Sequence, residues 1–133
     1  MLFSAHAATL ALGILRPYMG RPQILSLRER LDADERSAGR GVCVAFVDLG
    51  FYAHPDLLHP RKRIRAFVDV TRERPRARDL YSPRASSWHG MMTACTAVGS
   101  GYVSGGRFCG LASEADVVLI KIGDGSYTSI RGE

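Results

Sequence analysis

Two short apolar runs limit what this chain can fold into. Val42 to Val47 and Val117 to Ile122 are each six residues long, and only Lys121 interrupts them with charge. A strand with one wet face alternates apolar and polar residues. A run without alternation belongs to a strand buried on both faces, as in a parallel sheet covered by helices. Ile64 to Val70 alternates weakly and reads as a further strand. Between it and the last run lies Trp88 to Gly99, with no charged residue other than His89 and no proline. It reads as a buried helix over 89–98, with His89 in the first turn and Ser86-Ser87 offering capping hydroxyls. Strands alternating with helical segments predict an α/β fold with a mainly parallel sheet.

The rest of the chain fits around this frame. Ile24, Leu25, Leu27 and Leu31 fall near one helical face, and Gly39-Arg40-Gly41 ends that pattern. The apolar stretch Ala5 to Leu15 is too short to span a bilayer. No basic segment precedes it and no convincing small-residue cleavage site follows, so a signal peptide is only weakly supported. With 46% hydrophobic residues in 133, a core is affordable in composition. The net charge of +5 points first toward nucleic acid. The excess is local, however: Arg61 to Arg84 holds nine Lys/Arg against three Asp/Glu, with few aromatics and no nucleic-acid motif. That stretch reads as a solvated, arginine-rich surface loop, and neither nucleic acid nor membrane is expected as a partner.

Cys43, Cys95 and Cys109 cannot all pair within the chain and lack zinc-ligand spacing. Their apolar or glycine-rich contexts make them buried free thiols, and no metal site is expected. Gly99-Ser100-Gly101 and Ser104-Gly105-Gly106 suggest a phosphate cradle, but no lysine follows in P-loop position. A plain loop is the better reading, with nucleotide binding the weaker one.

The chemistry-bearing residues sit at element ends. Asp48 falls at the carboxyl end of the first strand, where ligands and catalytic groups gather in open α/β sheets. Its alternative is to cap the Leu49-Gly50 turn. His89, taken alone, reads better as a capping or packing histidine than as a catalytic one. His54-Pro55-Asp56-Leu57 is a turn leading to a short helix, and Asp124-Gly125-Ser126 turns out of the last strand.

Taken in order, Asp48-Leu49-Gly50, His54-Pro55-Asp56-Leu57, His89-Gly90-Met91-Met92, Gly110-Leu111-Ala112-Ser113 and Ile120-Lys121-Ile122 resemble the subtilisin-like serine peptidases, the subtilases. The resemblance covers about residues 40–128. It implies a three-layer α/β/α fold with a mainly parallel sheet, seen incompletely. Residues 1–40 would be an N-terminal arm or helix. Residues 41–133 would be the N-terminal part of the catalytic domain, ending before the nucleophile. The function implied is that of a serine endopeptidase acting on polypeptides without a cofactor. Asp48 would orient the base and His89 would be general base, then general acid. Gly125 and Ser126 would lie near the edge segment that pairs with substrate. The aspartate matching Asp56 helps bind calcium in some members; one carboxylate is insufficient for a hard cation, so a helix-capping role is expected.

Departures from the family pattern are Leu49 for Thr or Ser, Met91 and Met92 for Thr and the second His, and Ser113 for Pro. The nucleophile motif Gly-Thr-Ser-Met-Ala does not occur in the 133 residues. The alternative function is therefore a non-catalytic pseudoenzyme or interaction fragment of the same fold. A partial sheet is also expected to present apolar surface on the strand 117–122.

Overall fold

Three strands, β1 (Cys43–Asp48), β2 (Ile64–Asp69) and β3 (Asp116–Lys121), form one parallel sheet in the order β1-β3-β2. The computed structural model describes residues 24–74 and 76–123. Among the described residues three α-helices accompany the sheet: α1 (Leu27–Leu31), α2 (Pro55–Leu58) and α3 (Ser87–Val98). The chain leaves β2, crosses through α3, and returns as β3 between the two earlier strands. This is a small α/β arrangement with a parallel sheet, as the apolar runs predict.

Register follows from the pairing. Val44 lies beside Val117, Phe46 beside Leu119 and Asp48 beside Lys121; on the other side Asp69 also lies beside Lys121. Partners in a parallel register point to the same face, and successive residues alternate faces. Val117, Leu119 and Ile64 are therefore buried together, with Val44, Phe46 and Phe67 packed against them. α3 supplies Met91, Ala94 and Val98 to this core, a single stripe at helical spacing. Phe51, Leu57 and Leu80 complete it.

β1 does not have two buried faces. Its burial alternates, with Cys43, Ala45 and Val47 exposed and Val44, Phe46 and Asp48 half-buried. The reason is position: β1 is an edge strand and, among the described residues, α3 packs on one of its faces. Val68 on β2 is also exposed, and Val118 and Ile120 are half-buried. β3 differs from an exposed strand in being central, with Val117 and Leu119 fully buried and only the following Ile122 exposed.

The amino-terminal helix is shorter than the apolar pattern suggests. α1 begins at a capping box, Ser26 with Glu29, and buries none of its residues; Ile24, Leu25 and Leu31 stay exposed. Polar bonds tie it down instead. Arg28 donates to the Leu111 carbonyl oxygen and, at 3.5 Å, to the Ser113 hydroxyl. The residue that stands in place of the family's proline thus becomes an acceptor. Ala38 is buried, and its carbonyl accepts the Glu114 N–H at 2.8 Å. The segment 24–40 therefore lies against 111–115; residues 1–23 lie outside the described residues.

Two further expectations are corrected. The basic side chains of the arginine-rich stretch are exposed except that of Arg63, which is buried at 1% exposure. Its guanidinium donates to the carbonyl oxygens of Ala115, at 2.9 Å, and of Asp56, tying β2 to α2. Burial holds its pKa below the usual arginine value. The thiols are not buried: Cys43 is exposed, and Cys95 and Cys109 are half-buried. Cys43 points to the open sheet face, and the other two border the cleft beside Phe108.

The asymmetry of the sheet is measurable. Leu119→Ala is expected to cost about 2–5 kcal/mol, the range for truncating a core leucine. Val47→Ser on the open face is expected to cost under about 0.5 kcal/mol, as an exposed substitution does. Urea titrations of the two variants check this; equal losses would contradict the one-sided core.

Candidate active site

Asp48 is the last residue of β1, so its carboxylate emerges at the carboxyl edge of the sheet. The first turn of α3 brings His89 to the same point. His89 Nδ1 lies 2.8 Å from Asp48 Oδ2, across 41 positions of sequence. The other carboxylate oxygen, Oδ1, accepts the Leu49 N–H at 2.7 Å. The two alternatives for Asp48 are therefore both realised, one on each oxygen. Leu49 brings no hydroxyl, and its backbone N–H holds the carboxylate instead.

With an ionised carboxylate at Nδ1, the proton of neutral imidazole belongs on that nitrogen, and the lone pair is on Nε2. Among the described residues Nε2 has no recorded hydrogen-bond partner. The His89 side chain is 52% exposed and that of Asp48 13%. The orienting carboxylate is thus sheltered while the imidazole reaches solvent. Such a pair can accept a proton at Nε2 and hold the resulting imidazolium.

Close approach of helix and strand makes the contact possible. A Cβ on Gly90 would overlap the Gly50 carbonyl oxygen, and would lie 2.8 Å from Phe51 Cε1 and 3.0 Å from Asp48 Cβ. Gly50 in turn sits against Ser86, where a Cβ would come within 3.0 Å of the carbonyl oxygen. Ser86 makes no side-chain cap, and Ser87 Oγ instead accepts the Arg84 N–H at 3.3 Å. The expected serine capping of the helix is thus replaced by a turn lock before it.

Beside this pair lies a second polar group, of which motif reading named Lys121 and missed Asp69. Lys121 and Asp69 are buried, at 7% and 2% exposure, with Nζ 3.3 Å from Asp69 Oδ2. The Thr71 N–H and hydroxyl both donate to Asp69 Oδ1. Burial opposes ionisation of Asp69, but the Thr71 bonds and the Lys121 ammonium outweigh it and hold its carboxyl below the usual carboxylate range. Arg72 adds a bond to Asp79 at 3.0 Å. The available signal was Lys121 itself: a charge inside an apolar run needs a buried partner.

The other candidates fall elsewhere. The His54 ring accepts the Asp56 N–H through Nδ1 at 3.1 Å, so His54 caps α2. Asp56 is not the cap; its Oδ1 accepts the Val103 N–H at 2.9 Å and pins the glycine-rich loop. One carboxylate so engaged does not fit a calcium site, and the described residues hold no cluster of three or more His, Cys, Asp or Glu suited to a metal. Burial pushes the Cys95 thiol up to about 11, which keeps it protonated and non-nucleophilic at neutral pH. Gly125 and Ser126 lie outside the described residues.

A model of the subtilase family matches residues 39–132. The chain belongs to the subtilase family. Serine protease AprX of Bacillus subtilis (strain 168) is 36% identical over 84 residues, which is 63% of this chain and 17% of AprX. This subtilase chain therefore spans about a sixth of that relative's length. Residues 39–132, which the family model matches, contain both Asp48 and His89 and exclude α1.

Gly90→Ala tests the close approach. Overpacking at this contact is expected to cost about 1–3 kcal/mol and to part His89 from Asp48. Urea unfolding with side-chain NMR of His89 checks both. A variant of unchanged stability that keeps the contact would contradict it.

Proposed function

We propose that this chain carries the aspartate–histidine half of a serine endopeptidase site. Asp48 orients His89 and stabilises its protonated form. His89 Nε2 takes the proton of a serine hydroxyl as that oxygen attacks a peptide carbonyl, then delivers it to the leaving amine. The substrate on this reading is a polypeptide. On the same reading residues 41–133 are the N-terminal part of the catalytic domain, and Gly125 and Ser126 belong to its substrate-binding segment.

The observation that carries this reading is the 2.8 Å contact between Asp48 Oδ2 and His89 Nδ1, on an imidazole whose side chain is half exposed. A histidine that served only as a helix cap would spend a ring nitrogen on backbone. A carboxylate that served only its turn would leave the second oxygen to water. Family membership supports the reaction class. Asp48-Leu49-Gly50 and His89-Gly90 also resemble the family's aspartate and histidine motifs.

The 133 residues contain no Gly-Thr-Ser-Met-Ala, so the chain as given is expected to hydrolyse no peptide or ester above background. The positive test is a chimera in which residues 39–132 replace the matching segment of AprX. Peptidase activity is expected in the chimera. His89→Ala is expected to lower its kcat by about 10⁴-fold or more, and Asp48→Asn by about 10⁴-fold. A chimera whose turnover survives His89→Ala would overturn the assignment.

A further inference from the structure

The carboxyl edge of the sheet carries three charged side chains in one row. Asp48 of β1, Lys121 of β3 and Asp69 of β2 are register partners, so all three point to the α3 side of the sheet. Neighbouring strands lie only about 4.8 Å apart. A lysine side chain at the centre of that row can reach either carboxylate. It bonds Asp69, at 3.3 Å. Asp48 spends its oxygens on Leu49 N–H and His89 instead.

We propose that Asp69 is a positioning residue for the Asp48–His89 pair, acting by holding the Lys121 ammonium away from Asp48. The inference rests on the peptidase reading of that pair for its consequence, but its geometry does not.

The physical case is a competition. An ammonium bound to Asp48 Oδ2 would take the oxygen that His89 Nδ1 uses. The imidazole would then lose the bond that fixes its tautomer and orientation. Asp69 prevents this by being the better-placed acceptor. Thr71 donates to its other oxygen through both N–H and hydroxyl, which fixes the carboxylate and keeps it ionised. The remaining charged groups do not serve as partners for Lys121. Arg72 and Arg84 of the loop before α3 border the same small cavity and carry like charge, while Asp79 is bonded to Arg72. On the α2 side, His54 is committed to capping and Asp56 Oδ1 accepts the Val103 N–H. A buried charge must keep a partner, so removing Asp69 leaves Lys121 with Asp48 as the nearest acceptor in its row.

This predicts that a second substitution repairs the first. ¹⁵N NMR of the His89 ring reports which nitrogen carries the proton. The wild-type chain is expected to show the Nδ1–H tautomer at a pH where the ring is neutral. Asp69→Asn is expected to reduce that tautomer several-fold, and Asp69→Asn with Lys121→Met to restore it. A merely structural role for the pair predicts that the double variant is no better than the single one. That result, or an unchanged Asp69→Asn spectrum, overturns the proposal. Absence of the Nδ1–H tautomer in the wild-type chain would instead overturn the Asp48–His89 reading itself. If Asp69→Asn does not fold, cross-relaxation in the wild-type chain decides. Lys121 ammonium protons are expected to contact the Thr71 side chain, and contacts to the Leu49 amide in their place overturn the proposal.

Discussion

The site depends on how closely α3 lies on the end of β1. Gly90 faces Gly50 and Asp48 with no space for a methyl group, and Gly50 meets Ser86 in the same way. Two residues without side chains thus let a helix and a strand end touch through backbone. The adjacent residues, His89 and Asp48, are then close enough for a 2.8 Å bond. Core packing holds the helix there: Met91, Ala94 and Val98 sit on Val117, Leu119 and their neighbours. A carboxylate and an imidazole in solution would not hold one geometry, whereas here the cost of ordering them is met by apolar burial elsewhere in the fold.

The same parallel register that builds the core also places charge. Alternation puts Val117, Leu119 and Lys121 on one face of β3, so the stripe that fills the core ends in a cation at the sheet edge. Register then gives that cation a carboxylate on each side. Such a row is stable only if each charge has its own partner. Leu49 N–H and His89 serve Asp48, and Thr71 and Lys121 serve Asp69. Leu49 brings no hydroxyl to Asp48, and its bond to the carboxylate comes from the backbone N–H.

What could be read from the residues was strongest where one element decides the outcome. The strands at 42–47 and 117–122 and the helix from His89 onward were legible to within two residues, because apolar runs and glycine boundaries are local signals. The meeting of Asp48 and His89 was legible through the order of motifs and not through spacing. Burial was read less well. Val42 to Val47 looked buried on both faces, since an apolar run does not reveal that the strand lies at an edge. Arg63 looked like one more surface arginine, since nothing local shows that its carbonyl acceptors on Asp56 and Ala115 enclose it. Asp56 looked like a helix cap, yet its acceptor role is for Val103, 47 residues away. Asp69 was passed over for the same reason: its partner Lys121 is 52 residues away.

The central claim is that the Asp48 carboxylate fixes His89 with its proton on Nδ1 and its lone pair on Nε2. ¹⁵N NMR of histidine-labelled chain, compared with Asp48→Ala, measures this directly. The account predicts one dominant Nδ1–H tautomer for His89 in the wild-type chain and a mixture in the variant. Identical His89 spectra for the two proteins would contradict it.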